Sequence, residues 1–283
     1  MNNVIFTVLY NKELVDSSTL NSLSSLDLSG GDYTLVVINN GPKEIIYEPG
    51  ILFSSFKKVS FECFLENLPL SKLYNYLIKK YNDFDRFIFF DDDTSVPHDF
   101  FSSLDESYEF GIDMQLPKII SSYDQVAYYP LVNGEVDNST FRNYLPGDEV
   151  YSIGSGMVIY KSLLDKLNAC DELPFDERFA LYGVDMSIFR IMRKVYINND
   201  LAFQLQLASE INHSLSRVSD IDNAFRKRER IYDSVLSSLN YPQSLFKTFK
   251  IMVKSLWYCF SNVDVICFSN LVKIFFSKKH PRC

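Results

Sequence analysis

Four large apolar residues, Phe87-Ile88-Phe89-Phe90, lead straight into Asp91-Asp92-Asp93-Thr94, and this junction constrains the fold more than any other segment. A short, uninterrupted aromatic run predicts a buried strand rather than a surface one. Side chains alternate along a strand, so Asp91 and Asp93 are expected to leave its C-terminal end on the same side. Two carboxylates placed there repel each other unless a positive charge sits between them. A hard divalent cation, Mg²⁺ or Mn²⁺, meets that need and keeps room for substrate phosphates. In open α/β sheets the ligand crevice lies beyond the carboxyl ends of the strands, where these acids fall. The plain alternative is an acidic turn that caps the following helix.

The segments around this junction alternate between strand and helix signals. Val4 to Tyr10 and Tyr33 to Ile38 read as strands, the second halted by the turn Asn39-Asn40-Gly41-Pro42. Ser17 to Leu26 and Leu70 to Tyr81 carry helical spacing, and Leu52 to Phe61 predicts a further strand. Strands separated by helices imply an α/β chain with a mostly parallel central sheet and right-handed crossovers. Residues 108–160 are rich in turns. Helices are expected over Ser162–Asn168, Asp185–Lys194 and Ser219–Leu239. Pro242 breaks the last of these, which places a boundary near Asn240–Pro242, with residues 1–240 as the main domain and 241–283 as a tail.

With 283 residues and 47% hydrophobic content, the chain can bury one large core, or a core with a small appendage. The net charge of −8 is uneven. Residues 241–283 hold seven Lys/Arg against the single acid Asp264, so the body is strongly acidic and the tail basic. An acidic body argues against nucleic acid as a partner of the main domain. The tail combines its lysines with Phe, Leu, Ile and Trp257, but no uncharged stretch reaches the roughly 20 residues of a membrane span. It reads as one or two amphipathic helices lying in a membrane interface, with Trp257 and Tyr258 as anchors, or else as a helical pair packed on the body or in a dimer interface. The N-terminal residues do not form a signal-peptide pattern. Five scattered cysteines suit free thiols in a reducing cytoplasm.

Six segments, in order, carry a resemblance. They are Tyr10-Asn11 closing the first strand, Ile38-Asn39-Asn40-Gly41, Asn67-Leu68-Pro69 with Asn75, and Asp91-Asp92-Asp93-Thr94. Gly154-Ser155-Gly156 and Phe175-Asp176-Glu177-Arg178-Phe179-Ala180-Leu181-Tyr182-Gly183-Val184-Asp185 follow. Over roughly residues 4–215 the chain resembles the family-2 inverting glycosyltransferases of the GT-A nucleotide-sugar-binding fold, especially the bacterial rhamnosyltransferase-like members that build O-antigen and capsule. Three positions depart from that pattern. Asn39 replaces the aspartate of the base-binding turn, Pro69 replaces a helix-motif glycine, and Val184 replaces a glutamate.

The resemblance implies a set of roles. Asp93 with Asp91 would hold a divalent ion, Mg²⁺ or Mn²⁺, against the diphosphate of a UDP- or dTDP-sugar. His213 would face that metal, and Asp91, Asp92 and Asn39 would contact the donor. Asp185 would be the general base that deprotonates an acceptor hydroxyl, a task needing contact within about 3 Å. Each has a plainer reading beside it: Asp185 suits an N-cap, Asn39 an ordinary turn, His213 a structural histidine. Arg178 is expected as a salt-bridge partner rather than a phosphate clamp. The implied acceptor is a polyprenyl-diphosphate-linked saccharide, and the implied place is the cytoplasmic, inner face of the cytoplasmic membrane, reached through the tail. One rival is a sugar nucleotidyltransferase, which wants a Gly-rich basic loop where Asn11-Lys12-Glu13-Leu14 stands. The other is a non-catalytic sugar- or partner-binding module of the same fold.

Overall fold

Seven of the eight residues from Asn2 to Leu9 are buried, and they form β1. The computed structural model describes residues 1–45, 53–215, 223–242 and 244–283. After β1 come α1 (Ser18–Ser24), β2 (Asp32–Asn39), β3 (Lys58–Cys63), α2 (Leu70–Lys80), β4 (Arg86–Asp91) and β5 (Thr94–Ser95). The middle holds α3 (Phe100–Ser107), β6 (Met114–Ser121), β7 (Ala127–Tyr129), β8 (Leu131–Val132), β9 (Glu135–Val136), β10 (Arg142–Asn143), β11 (Val150–Tyr151) and β12 (Val158–Tyr160). The rest comprises α4 (Lys161–Asn168), α5 (Val184–Asn199), β13 (Leu205–His213), α6 (Ala224–Asn240), α7 (Leu245–Ser261) and α8 (Val265–Ser277).

The principal sheet runs β10-β13-β6-β12-β4-β1-β2-β3. Four strands in a row, β4, β1, β2 and β3, are parallel, and β13 is parallel to β6. Between these blocks β12 runs antiparallel to both β4 and β6. The expected mostly parallel α/β sheet flanked by helices is therefore present, followed by C-terminal helices. A small second sheet, β11-β8-β9, occupies part of the turn-rich middle.

The chain divides into two compact units. One comprises Met1–Asn67, Leu77–Glu172 and Met192–Ser219, and contains every strand. Its core is aromatic: the Phe6 and Phe89 rings lie 5.2 Å apart and those of Phe90 and Phe100 5.4 Å apart. The other unit comprises Leu68–Tyr76, Leu173–Ile191 and Asp220–Cys283. Here α2 holds the segment before α5. Asn75 donates to the Phe175 carbonyl at 2.8 Å and accepts the Phe175 N–H at 3.1 Å, while the Leu70 N–H reaches the Ala180 carbonyl at 2.8 Å.

Several elements shift from expectation. The strand expected over Leu52–Phe61 begins at Lys58, and Leu52 lies outside the described residues. The helix expected from Ser219 starts at Ala224, with residues 219–222 likewise outside them. The long strand β13 has no counterpart in the sequence pattern. Its buried glutamine explains this: Gln206 donates to Asn143 Oδ1 at 2.9 Å and accepts from Gln115 at 2.6 Å. A polar network inside the core erases the apolar periodicity that marks most strands.

Candidate functional site

Parallel pairing sets Val8 of β1 opposite Asp91, so both strands end at one edge of the sheet. Just past that edge, β5 pairs with the end of β13 and places His213 opposite Thr94. The imidazole Nε2 thus lies 3.3 Å from Asp91 Oδ2 and 3.2 Å from Asp93 Oδ1. The Ser214 hydroxyl donates to the other Asp93 oxygen. One ligand atom from each of Asp91, Asp93 and His213 falls within 4.8 Å of the others.

The turn that carries these acids is braced from below. Thr19 donates from Oγ1 to the Asp91 carbonyl at 2.5 Å and accepts the Thr94 N–H at 2.9 Å. The Ser17 hydroxyl reaches the Asp92 carbonyl at 2.9 Å. Ser155 accepts the Asp91 N–H at 3.2 Å and pairs with the Thr94 hydroxyl. Next to it, Gly156 adopts φ +76°, and a Cβ there would meet Pro117 Cγ at 2.6 Å. Only glycine fits that position. The Gly154-Ser155-Gly156 loop therefore supports the acidic turn directly.

Asp92 points elsewhere. Its carboxylate pairs with Lys12 Nζ at 2.7 Å and stays out of the Asp91–Asp93–His213 cluster. Burial pushes the Asp92 carboxyl up, Lys12 pulls it down, and the two neighbouring aspartates push it up again, for a net rise. For His213, burial lowers the imidazole pKa but the two carboxylates raise it by more. Its Nδ1 is buried with no hydrogen-bond partner among the described residues, so the ring is oriented through Nε2, packing and the strand ladder.

The donor set fits a divalent ion. An octahedral ion with bonds of about 2.1 Å places neighbouring ligands roughly 3 Å apart, close to the two imidazole–carboxylate distances here.

The ligand cluster does not include the other residues singled out in the sequence. Asn39 closes β2, and its side chain is engaged in its own turn: Oδ1 accepts the Gly41 N–H at 3.0 Å and Nδ2 donates to the Lys43 carbonyl at 2.7 Å. Asp185 sits in the first turn of α5, in the second unit. Gly183 precedes it at φ +81°, where a Cβ would meet Phe179 Cδ1 at 2.8 Å and the Asp233 carboxylate. Arg178 is a salt-bridge residue as expected, with Nη2 2.6 Å from Asp176 Oδ2. Lys12, Thr19, Ser155 and Ser214 escaped the sequence reading as site residues. For Lys12 a signal existed: it follows β1 by three residues, and in a parallel sheet that edge is shared with the end of β4.

No protein-family model matches the chain, and no curated protein does. Solved structures do match. TarS from S. aureus gives a TM-score of 0.50 at 15% identity, over 92% of this chain and 44% of that one. Residues 1–349 of TarS in complex with UDP-GlcNAc give 0.47 at 15% identity, over 92% and 73% of the two chains. GalNAc-T7 with UDP, GalNAc and Mn²⁺ gives 0.49 at 12% identity, over 92% and 58%. The chain spans less than half the length of the TarS chain in the first of these. The likeness to TarS shows the fold, the GT-A α/β fold.

Proposed function

We propose that this chain is an inverting, metal-dependent glycosyltransferase, and the observation that carries the reading is the Asp91–Asp93–His213 cluster. It lies at the carboxyl edge of the parallel strands, where open α/β sheets bind ligands. The donor is a UDP- or dTDP-sugar. The acceptor is a hydroxyl of a polyprenyl-diphosphate-linked saccharide, in O-antigen or capsule assembly at the inner face of the cytoplasmic membrane. A divalent ion, when bound, neutralises the diphosphate as charge grows on the leaving oxygen. Asp91, Asp93 and His213 would hold it, and Asn39, Asp91 and Asp92 would contact the donor. Asp185 takes the proton of the acceptor hydroxyl, consistent with its fixed place after a glycine that only glycine's backbone freedom allows. The six ordered motifs support the family, and no side chain here suggests itself as the nucleophile of a double displacement.

The test is a thermal-shift panel of UDP, dTDP, GDP and CDP, each with and without Mn²⁺, on the wild type and Asp93→Ala. Ligands of the folded state raise its apparent stability. The expected result is stabilisation by one nucleotide that needs Mn²⁺ and disappears in the variant. A panel with no shift would favour the second reading, a non-catalytic binding module. That reading draws on Val184 and on the engagement of the Asn39 amide within its own turn. Metal-dependent hydrolysis of a nucleotide sugar without acceptor would exclude it.

A further inference from the structure

We infer that the outward faces of α7 and α8 form one docking surface for an anionic lipid bilayer. Of the 27 large hydrophobic side chains exposed among the described residues, 14 fall between Leu245 and Phe276. On α7, Ser255 and Cys259 are buried and mark the packed side. Away from it, Phe246, Phe249, Val253, Trp257 and Phe260 recur every three or four residues and are 49% to 77% exposed. Lys247, Lys250 and Lys254 recur at the same spacing along the flank of that stripe. On α8, Cys267, Leu271 and Ile274 are buried, while Phe268, Val272, Phe275 and Phe276 face outward. The Phe260 and Phe268 rings, 5.7 Å apart, join the two stripes.

Charge identifies the occupant. Asp264, the only acid from residue 241 onward, is turned inward: it pairs with Arg228 at 2.7 Å and caps α8 through the Cys267 N–H at 3.0 Å. Every charge left on the outer faces of α7 and α8 is therefore positive. A second copy of this surface would set lysine against lysine, whereas anionic headgroups complement the positive charge as the aromatic stripe enters the acyl boundary. No helix of the described residues is long and apolar enough to cross a membrane, so these helices lie in the interface. The inference deepens the lipid-linked-acceptor part of the proposed function and rests on that reading only for its purpose.

Trp257 is the sole tryptophan, so its fluorescence reports insertion directly. The full chain, without nucleotide or acceptor, is mixed with vesicles of phosphatidylcholine alone or with phosphatidylglycerol added. Co-sedimentation and a blue shift of Trp257 emission are expected with the anionic vesicles, both weakened by salt. Phe249→Glu with Phe260→Glu should weaken binding by about tenfold or more at unchanged melting temperature. Lys250→Glu with Lys254→Glu should remove the preference for phosphatidylglycerol. Unchanged emission with anionic vesicles at low salt would overturn the inference. So would a dimer, detected by light scattering without lipid and abolished by Phe249→Glu, because it assigns the face to a second copy. A chain that binds Mn²⁺ and nucleotide but no vesicle defeats this inference alone, and the converse result defeats the nucleotide-sugar reading alone.

Discussion

Asp176 and the Asp91–Asp93 pair place the same side chain in opposite surroundings. Asp176 is held by Arg178, whose Nε lies 2.8 and 3.0 Å from its two oxygens, and by the Tyr241 hydroxyl at 2.7 Å. Burial pushes that carboxyl up, but the arginine and the tyrosine more than offset it, leaving it below the usual carboxylate range. Asp91 and Asp93 instead converge on one imidazole, and among the described residues no lysine or arginine reaches either carboxylate. A saturated carboxylate is part of the scaffold. Two carboxylates held together by a braced turn, faced by an imidazole and a serine hydroxyl but by no lysine or arginine among the described residues, could hold a cation, because the scaffold has fixed like charges side by side.

The sharpest way to break this contrast is Asp93→Ala. Transfer should fall on the order of a thousandfold, while the metal-free melting temperature stays unchanged or rises, because a like-charge repulsion is removed. Turnover within tenfold of wild type would return the acidic turn to the scaffold class. Asp185→Asn comes next. Transfer should drop roughly 10²- to 10⁴-fold with the Mn²⁺-dependent nucleotide shift intact, and retained turnover would remove Asp185 from the role of base.

Asp176→Asn should do the reverse of Asp93→Ala, lowering stability at pH 7 by about 2 kcal/mol in urea denaturation. That figure is kept modest because Arg178 retains 38% side-chain exposure. The pH dependence has a definite sign. Asp176 titrates lower in the folded chain than in the unfolded one, so its contribution is complete above about pH 4 and is lost as pH falls through the folded value. The variant's stability curve should therefore converge on wild type in strong acid; a constant gap down to that range would refute the assignment. The smallest effect belongs to Ser155→Ala, which removes the partner of the Asp91 N–H and the Thr94 hydroxyl. It should cost about 1 kcal/mol and weaken the metal response without abolishing it.

Much of the first unit was legible in the chain. The strands β1, β2 and β4 came from period and turn residues, within two residues of their ends, as did the helix α2, most of which belongs to the second unit. The pairing of Asp91 with Asp93 was legible too, although β4 stops at Asp91 and the intervening turn, rather than strand alternation, brings Asp93 round. The strand β13 was not legible, because polar Gln206 and Ser209 are buried there, Gln206 within a hydrogen-bonded network. Nor was the role of the Gly154-Ser155-Gly156 loop, since nothing local ties it to an aspartate 64 residues earlier.

Residue type and spacing alone determined an α/β chain with an acidic strand end, a basic apolar tail and a glycine ahead of Asp185, because burial, period and charge are recorded locally along the sequence. Tertiary structure decided which strand ends meet. His213 lies 122 residues from Asp91, and only the pairing of β13 with β5 sets its imidazole between the two carboxylates. Tertiary packing also turned Asp264 inward and left the lysines of α7 outward, since the side of a helix that faces water is chosen by what packs on the other side.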